Sequence, residues 1–278
     1  MQNINILLIM EDKKMAVTAA MVKELREMTG AGMMDCKKAL SNTDGDMDKA
    51  VEYLRENGMA KAAKKAGRIA AEGIVKVVTE GSKAAIVEVN SETDFVAKNA
   101  DFNAYVEEVA QQALNTKASD IDGFLAEGWN KDSSKTVADV LAGQIAVIGE
   151  NLKIRRFAQI EENNGFIASY IHMGGKIGVL VDVETDVVNP AIEEMAKNVA
   201  MQAAALKPMY TNRSEVDPEY IAKETEIITV TAKNEKPDAN DKIIEGMVKG
   251  RLNKELKEIC LLDQTYVKAE DGKQSVSA

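Results

Sequence analysis

The residues with the clearest chemical potential are Asp94 and Phe95, a carboxylate beside an aromatic ring. They follow an apolar run at residues 84–89, which predicts a strand, and precede residues 101–109, whose apolar side chains recur at helical spacing. The pair therefore stands where a strand passes into a helix. Thr93 or Asp94 can be the N-cap, because a short side-chain oxygen accepts hydrogen bonds from the free amides of a first helical turn. Such a turn would hold the Phe95 ring in a fixed direction.

Two roles for Phe95 are open from the residues alone. Phenylalanine is usually buried in folded proteins, so packing beneath the helix is the simpler expectation, and an exposed ring that contacts a partner is the alternative. An internal repeat bears on this choice. Shifting the chain by 92 positions places Thr93-Asp94 on Thr185-Asp186, and Phe95 on Val187. If the two corners correspond, the fold accepts valine there, and the fold alone does not demand an aromatic ring.

The sequence lacks the motifs of the common enzyme classes. It has no glycine-rich phosphate loop ending in Lys and Ser or Thr, no paired-cysteine motif and no His-Glu-x-x-His zinc motif. Its one histidine, His172, precedes a glycine pair in a predicted hairpin, where a lone histidine is usually structural or simply exposed. We therefore expect no metal, no cofactor and no enzymatic reaction.

Composition narrows the remaining classes. The 278 residues can form more than one domain, and their net charge of −10 argues against direct nucleic-acid binding, which needs clustered Lys and Arg. The basic run at residues 61–68 is therefore interpreted as a solvated face. Two cysteines are too few for a disulfide framework, which indicates a cytoplasmic location. The apolar stretch at residues 6–10 is too short to span a membrane, so no membrane association is expected.

Three helices are expected near the N-terminus, with Thr18 and Asp46 as N-caps and Asn57-Gly58 as the stop of the third. Two further helices are expected later in the chain: the first begins at Asp217-Pro218, and the second, after a break at residues 236–238, carries an apolar stripe close to a heptad repeat. Periodicity leaves open whether this pair protrudes or lies on the core. Residues 260–267 are expected to form a strand. Together with the repeated strand–turn–strand–helix halves, these elements predict an α+β fold.

Two segments resemble the signatures of the bacterial elongation factor Ts family. They are Thr29-Gly30-Ala31-Gly32-Met33-Met34-Asp35-Cys36-Lys37-Lys38-Ala39-Leu40 and Thr93-Asp94-Phe95-Val96-Ala97-Lys98. The resemblance extends over about residues 16–267. It implies a guanine-nucleotide exchange factor that binds elongation factor Tu in its GDP-bound and nucleotide-free forms and acts in translation elongation. Homodimerisation is left open.

The resemblance also implies roles for individual residues. Thr93, Asp94, Phe95 and Val96 would form a wedge that disturbs the Mg²⁺ and phosphate site of the GTPase, so that GDP leaves and GTP can rebind. Met33, Met34 and Lys37, which share one side of a predicted helix, would dock on the GTPase, and His172 would be a secondary contact. A plain adaptor is the competing class, but it would explain the N-terminal helices and leave the Asp94–Phe95 corner without a role.

With the resemblance added, the expected α+β fold has a ubiquitin-associated-like module, a duplicated core of two subdomains and an inserted, protruding antiparallel coiled-coil hairpin. The expected divisions are 1–14 (extension), 15–57 (helical module), 58–72 (basic linker), 73–160 and 161–207 (core subdomains), 208–259 (coiled-coil hairpin) and 260–278 (return strand and tail). The segments that usually continue the family's chain do not follow this tail, so we expect a truncated C-terminus.

Overall fold

The computed structural model describes residues 16–278, and the extension expected at residues 1–14 lies outside them. The described chain combines helices and strands, which confirms the α+β fold. It forms two compact units. The first consists of residues 16–74 and 87–157, and the second of residues 75–86 and 158–278.

The first unit begins with three helices: α1 (Ala19–Thr29), α2 (Met33–Asn42) and α3 (Met47–Lys65). The expected caps are confirmed, since the Thr18 hydroxyl accepts from the Met21 amide and the Asp46 carboxylate accepts from the Lys49 amide. Gly30 ends α1 at φ 66°, a left-handed conformation that glycine adopts at little cost. The helices enclose a buried core of Val22, Leu25, Cys36, Ala39, Leu40 and Ala50.

The third helix is longer than expected. The prediction that it stops at Asn57-Gly58 is wrong, because Gly58 is a buried packing position within α3. A Cβ on Gly58 would lie 3.7 Å from the Ala142 carbonyl oxygen and 3.8 Å from the Ala146 Cβ. These are ordinary contact distances, so α3 continues through Gly58 and packs there on a later helix, α7 (Val137–Ile148). The first half of the expected basic linker is consequently helical.

The strands β1 (Glu72–Glu80), β2 (Lys83–Ser91) and β5 (Lys153–Glu161) form a sheet in the order β1-β2-β5. Helices α4 (Asp94–Ala97) and α5 (Ala100–Leu114) follow β2, which confirms the expected passage from strand to helix. Helix α6 (Ile121–Ala126) and the short hairpin of β3 (Gly128–Trp129) and β4 (Asp132–Thr136) lead into α7. Phe102, Val106, Val109 and Phe124 are fully buried in the core of the first unit.

The second unit is built on an antiparallel hairpin of β6 (Gly165–His172) and β7 (Ile177–Glu184). Its register places Gly165 opposite Glu184 and His172 opposite Ile177. Helix α8 (Pro190–Leu206) packs on both strands. The buried residues of α8 are three alanines and one glutamine: Ala196, Ala200, Ala204 and Gln202.

The two halves share a hairpin followed by a helix, but the constant shift of 92 positions fails after the first strand. A Cβ on Gly73 would collide with the Val89 carbonyl, and one on Gly165 would collide with the Val183 carbonyl. Val89 therefore corresponds to Val183. The displacement arises because residues 81–82 turn the first hairpin and residues 173–176 turn the second.

The corners after these hairpins differ more. Residues 92–99 join β2 to α5 and include the helical turn α4, whereas residues 185–189 join β7 to α8 without a helix. Both following helices begin at an asparagine N-cap, Asn99 or Asn189, whose side chain accepts two backbone amides. Val187 is therefore not the counterpart of Phe95, and the expectation that the repeat shows valine tolerated at this corner is wrong.

Beyond α8, two long helices pair with each other: α9 (Pro218–Glu235) and α10 (Asp241–Ile259). Asp217 caps α9 as expected, and its carboxylate accepts from the Glu219 amide. The Tyr220 hydroxyl donates to Glu255 at 2.6 Å near one end of the pair. Val216, Leu256 and Cys260 form a buried cluster at the same end.

The strand expected at residues 260–267 is absent from the described chain. Cys260 makes an isolated parallel bridge with Tyr210, and residues 261–263 form a 3-10 turn. The Leu261 amide donates to the Tyr210 carbonyl at 2.9 Å, so the backbone is paired without an extended ladder. Cys260 joins the buried cluster at the base of the α9–α10 pair, whereas Leu262 and Val267 are exposed.

Candidate partner-binding site

The corner between β2 and α5 presents an aromatic ring to solvent. Thr93 is the N-cap of α4, and its hydroxyl accepts from the Val96 amide at 3.4 Å. Phe95 lies in the first turn of this helix with its side chain 82% exposed, whereas Val96 is half-buried. An exposed phenylalanine forgoes about 1.5–3 kcal/mol of burial. The ring therefore forgoes this stabilisation within the chain and is available to a partner.

Asp94 lies beside the ring and pairs with Lys98 one turn later, at 2.7 Å. This hydrogen bond and the attraction of the carboxylate raise the pKa of the Lys98 ammonium above its ordinary value. The pair is largely exposed, so it adds little to the stability of the fold. Asp94 thus contributes a negative charge beside Phe95.

The Glu150 side chain, from a distant part of the sequence, hydrogen-bonds to this corner. Its Oε2 accepts from the backbone amides of Glu92 and Thr93, both at 3.1 Å, and its Oε1 accepts from the Thr93 hydroxyl at 2.6 Å. Glu150 directly follows Gly149, which ends α7 at φ 86°. Glu150 lies outside both signatures and could not be predicted from local sequence, because its partners lie 57 and 58 positions earlier in the chain.

A second carboxylate joins the same two segments. Glu92 Oε1 accepts from the Asn151 amide at 2.6 Å and pairs with Arg68 at 3.5 Å. The Asn151 side-chain amide donates to the Arg68 carbonyl at 2.8 Å. Ser91, fully buried, donates its hydroxyl to the Thr93 carbonyl at 3.0 Å. The backbone before Phe95 is therefore held by the Glu150 and Ser91 side chains, and the Glu92 side chain ties it further to Asn151 and Arg68.

The structure leaves the proposed docking side of α2 uncovered. Met33 is 60% exposed and Met34 75% exposed, and Lys37 is also exposed. The opposite side of α2 contributes Cys36 and Leu40 to the helical core. Neither methionine is thus required for the packing of this module.

His172 is placed at the end of β6, in the second unit. It is exposed, and its Nδ1 lies 2.9 Å from the Tyr170 hydroxyl. The following turn is tight, since Met173, Gly174 and Gly175 all have positive φ values. Met173 is itself exposed, so the turn presents an imidazole and a thioether together.

These three groups of residues offer charged and apolar contacts and no catalytic constellation. Within residues 16–278, no group of three or more His, Cys, Asp or Glu side chains has the arrangement of a metal site. None of the described helices combines the length and apolar character needed to cross a bilayer. Each group by itself leaves apolar or charged side chains open to solvent.

Comparison with known proteins gives the family. Residues 92–278 match the model for Elongation factor TS, and residues 17–54 match the UBA/TS-N domain. Elongation factor Ts of Clostridioides difficile (strain 630) is 56% identical over 92% of this chain and 83% of that protein. Elongation factor Ts of Clostridium botulinum (strain Eklund 17B / Type B) is 52% identical over 94% of this chain and 85% of that protein. The resemblance seen in the two signatures is confirmed, and the chain belongs to the elongation factor Ts family.

Proposed function

We propose that this chain is a guanine-nucleotide exchange factor. It binds elongation factor Tu, in both the GDP-bound and the nucleotide-free form, and promotes release of GDP so that GTP can rebind during translation elongation in the cytoplasm. Membership of the elongation factor Ts family supports the assignment. The observation that carries it is Phe95, an 82% exposed aromatic ring on a corner whose backbone is fixed by Glu150.

The proposed mechanism needs no covalent step. Factor and nucleotide weaken each other's binding by the same factor, because the two equilibria are linked. The Mg²⁺ that helps to hold the nucleotide demands near-ideal octahedral geometry. A wedge formed by residues 93–96, with Phe95 inserted into the nucleotide-binding domain of the GTPase, displaces the backbone there and loosens both Mg²⁺ and phosphate. Asp94 fixes the direction of approach and contacts the partner.

Two further contacts complete the proposed interface. Met33, Met34 and Lys37 dock the N-terminal module on a helix of elongation factor Tu, pairing flexible apolar side chains with a positive charge. His172 makes a secondary contact. We further propose that α9 and α10 form a protruding coiled coil that is accessory to exchange.

The direct test measures release of labelled GDP from purified elongation factor Tu with and without this protein. Acceleration at sub-stoichiometric amounts is the expected result, because an exchange factor turns over. The adaptor alternative predicts binding without faster release. Binding to elongation factor Tu with an unchanged GDP release rate would therefore contradict the proposal.

A further inference from the structure

We propose that Glu150 is a positioning residue for exchange: its carboxylate holds the backbone at Glu92 and Thr93 and thereby keeps the Phe95 wedge rigid. This inference rests on the proposed function and adds a residue outside the two sequence signatures. Glu150 does not carry the ring and lies in another segment of the first unit, at the end of α7. Glu150 contributes by restraining the backbone next to the ring.

The hydrogen bonds single out Thr93 as the residue that Glu150 immobilises. The Thr93 amide and hydroxyl both donate to the carboxylate, and the Thr93 carbonyl accepts from the Ser91 hydroxyl and the Ala97 amide. The Thr93 hydroxyl also caps α4. Every polar group of Thr93 is therefore engaged. Hydrogen bonds to a charged acceptor are roughly twice as strong as neutral ones, so Glu150 supplies the firmest of these bonds.

The wedge needs this support because α4 cannot provide it. The helix has four residues, Asp94 to Ala97, and so small a helix has no stability of its own. The helix is only partly packed: Phe95 is exposed and Val96 half-buried, while Ala97 is the buried member. A side chain that displaces part of a partner needs a restrained backbone. Glu150 is the charged group in position to hold it.

The first readout concerns the free protein and needs no partner. Glu150→Ala should increase amide hydrogen exchange at Glu92 and Thr93 by about tenfold or more, since their carboxylate acceptor is gone and the segment opens locally. The Leu40 amide, in the helical core, should keep its wild-type exchange. Glu56→Ala, which removes an exposed glutamate from α3 of the same unit, is the matched control and should leave the amides of Glu92 and Thr93 unchanged.

The second readout is GDP release from elongation factor Tu as a function of factor concentration. A loosened wedge should lower the maximal release rate at saturation by about tenfold, since misplacing a reacting or positioning group is costly. The half-saturating concentration should rise by a smaller factor, because α2 still docks. A merely structural loss of folded protein would instead raise the half-saturating concentration and leave the maximal rate intact.

The outcomes separate the two proposals. If wild-type protein fails to accelerate GDP release, the proposed function falls and this inference with it. If wild-type protein accelerates release and Glu150→Ala reaches the same maximal rate, Glu150 is not a positioning residue and the exchange function stands. Should Glu150→Ala fail to fold, Glu150→Gln decides: it retains an oxygen acceptor but loses the charge, and a maximal rate about threefold below wild type is expected. A wild-type maximal rate for that variant would overturn the inference.

Discussion

Glu92 and Glu150 make reciprocal hydrogen bonds. The carboxylate of each accepts from backbone amides in the segment that contains the other. Glu92 binds the amide of Asn151, and Glu150 binds the amides of Glu92 and Thr93. Two loops that are distant in sequence are thereby tied together through four charge-assisted contacts, counting the Thr93 hydroxyl. Breaking either carboxylate leaves amides of the other loop without their acceptors.

Phe95 and Phe102 form a matched pair for separating binding from folding. Phe95→Ala should change the free energy of unfolding by no more than about 0.5 kcal/mol, since the ring is 82% exposed. Phe102→Ala should cost about 3–5 kcal/mol, because that ring is fully buried. Denaturant titration measures both changes. In GDP release, Phe95→Ala should lower the maximal catalysed rate well beyond any loss of affinity.

A different result would redirect the search for the wedge. If Phe95→Ala retains the wild-type maximal rate, the exposed ring has no part in exchange. Phe95→Val remains useful as a milder change of shape, but its folding has to be measured directly, because Val187 is not its structural counterpart.

Lys37 tests the docking side of α2. Lys37→Glu should raise the dissociation constant for elongation factor Tu by about three- to tenfold, since a favourable rim charge becomes a repulsive one. Its thermal unfolding midpoint should equal that of the wild type, because the side chain is exposed. Lys64→Glu, an equal charge change at an exposed position on α3, is the control. Equal affinities for the two variants would place the docking surface elsewhere.

The α9–α10 pair should be removable if its base is kept. Replacing residues 223–251 with a short Gly/Ser linker should leave the rest of the second unit folded, because the helices satisfy their apolar stripes on each other. Replacing residues 215–258 should destabilise it, because Val216 and Leu256 leave the buried cluster around Cys260, at about 1.5–3 kcal/mol per side chain. Thermal melts of the two deletions measure the difference. Aggregation of the shorter deletion would mean that the outer helices cover other parts of the protein.

Asp139 should make the free energy of unfolding depend on pH in the acid range. Burial alone raises the pKa of this carboxyl, but hydrogen bonds from Thr136 and Arg55 outweigh it and hold the pKa below its ordinary value of 3.8. A carboxyl with a lowered folded-state pKa stabilises above the unfolded pKa, and that contribution is lost as the pH falls through the folded value. Asp139→Asn should therefore cost about 1–3 kcal/mol at neutral pH and progressively less below pH 3.8.

Thermal unfolding at a series of pH values measures this effect. The melting curves of wild type and Asp139→Asn should converge in acid. A constant gap between wild type and Asp139→Asn from neutral to acid pH would show that Asp139 acts through shape and not through charge.

The sequence predicted well what depends on neighbouring residues. Thr18, Asp46 and Asp217 are N-caps as expected, because a cap acts within three positions of itself. The helix end at Gly58 was predicted wrongly because a glycine in a helical pattern is compatible with a helix end or with the helix interior, and the helix that packs on Gly58 lies about 80 residues later. Glu150 could not be found for the same reason. Even the exposure of Phe95, now confirmed, was expected from family resemblance and not from any local pattern.

The extra turn α4 has no counterpart in the connection that follows the second hairpin. The second half passes from hairpin to helix through residues 185–189 alone, so the connection can be closed without any such turn. The segment that carries Phe95 is therefore an addition to the connection that both halves share, although Thr93 and the buried Ala97 tie it to the first unit. If the proposed wedge acts in exchange, transplanting the segment, together with an acceptor equivalent to Glu150, onto the shorter connection should give an engineered factor with two wedges.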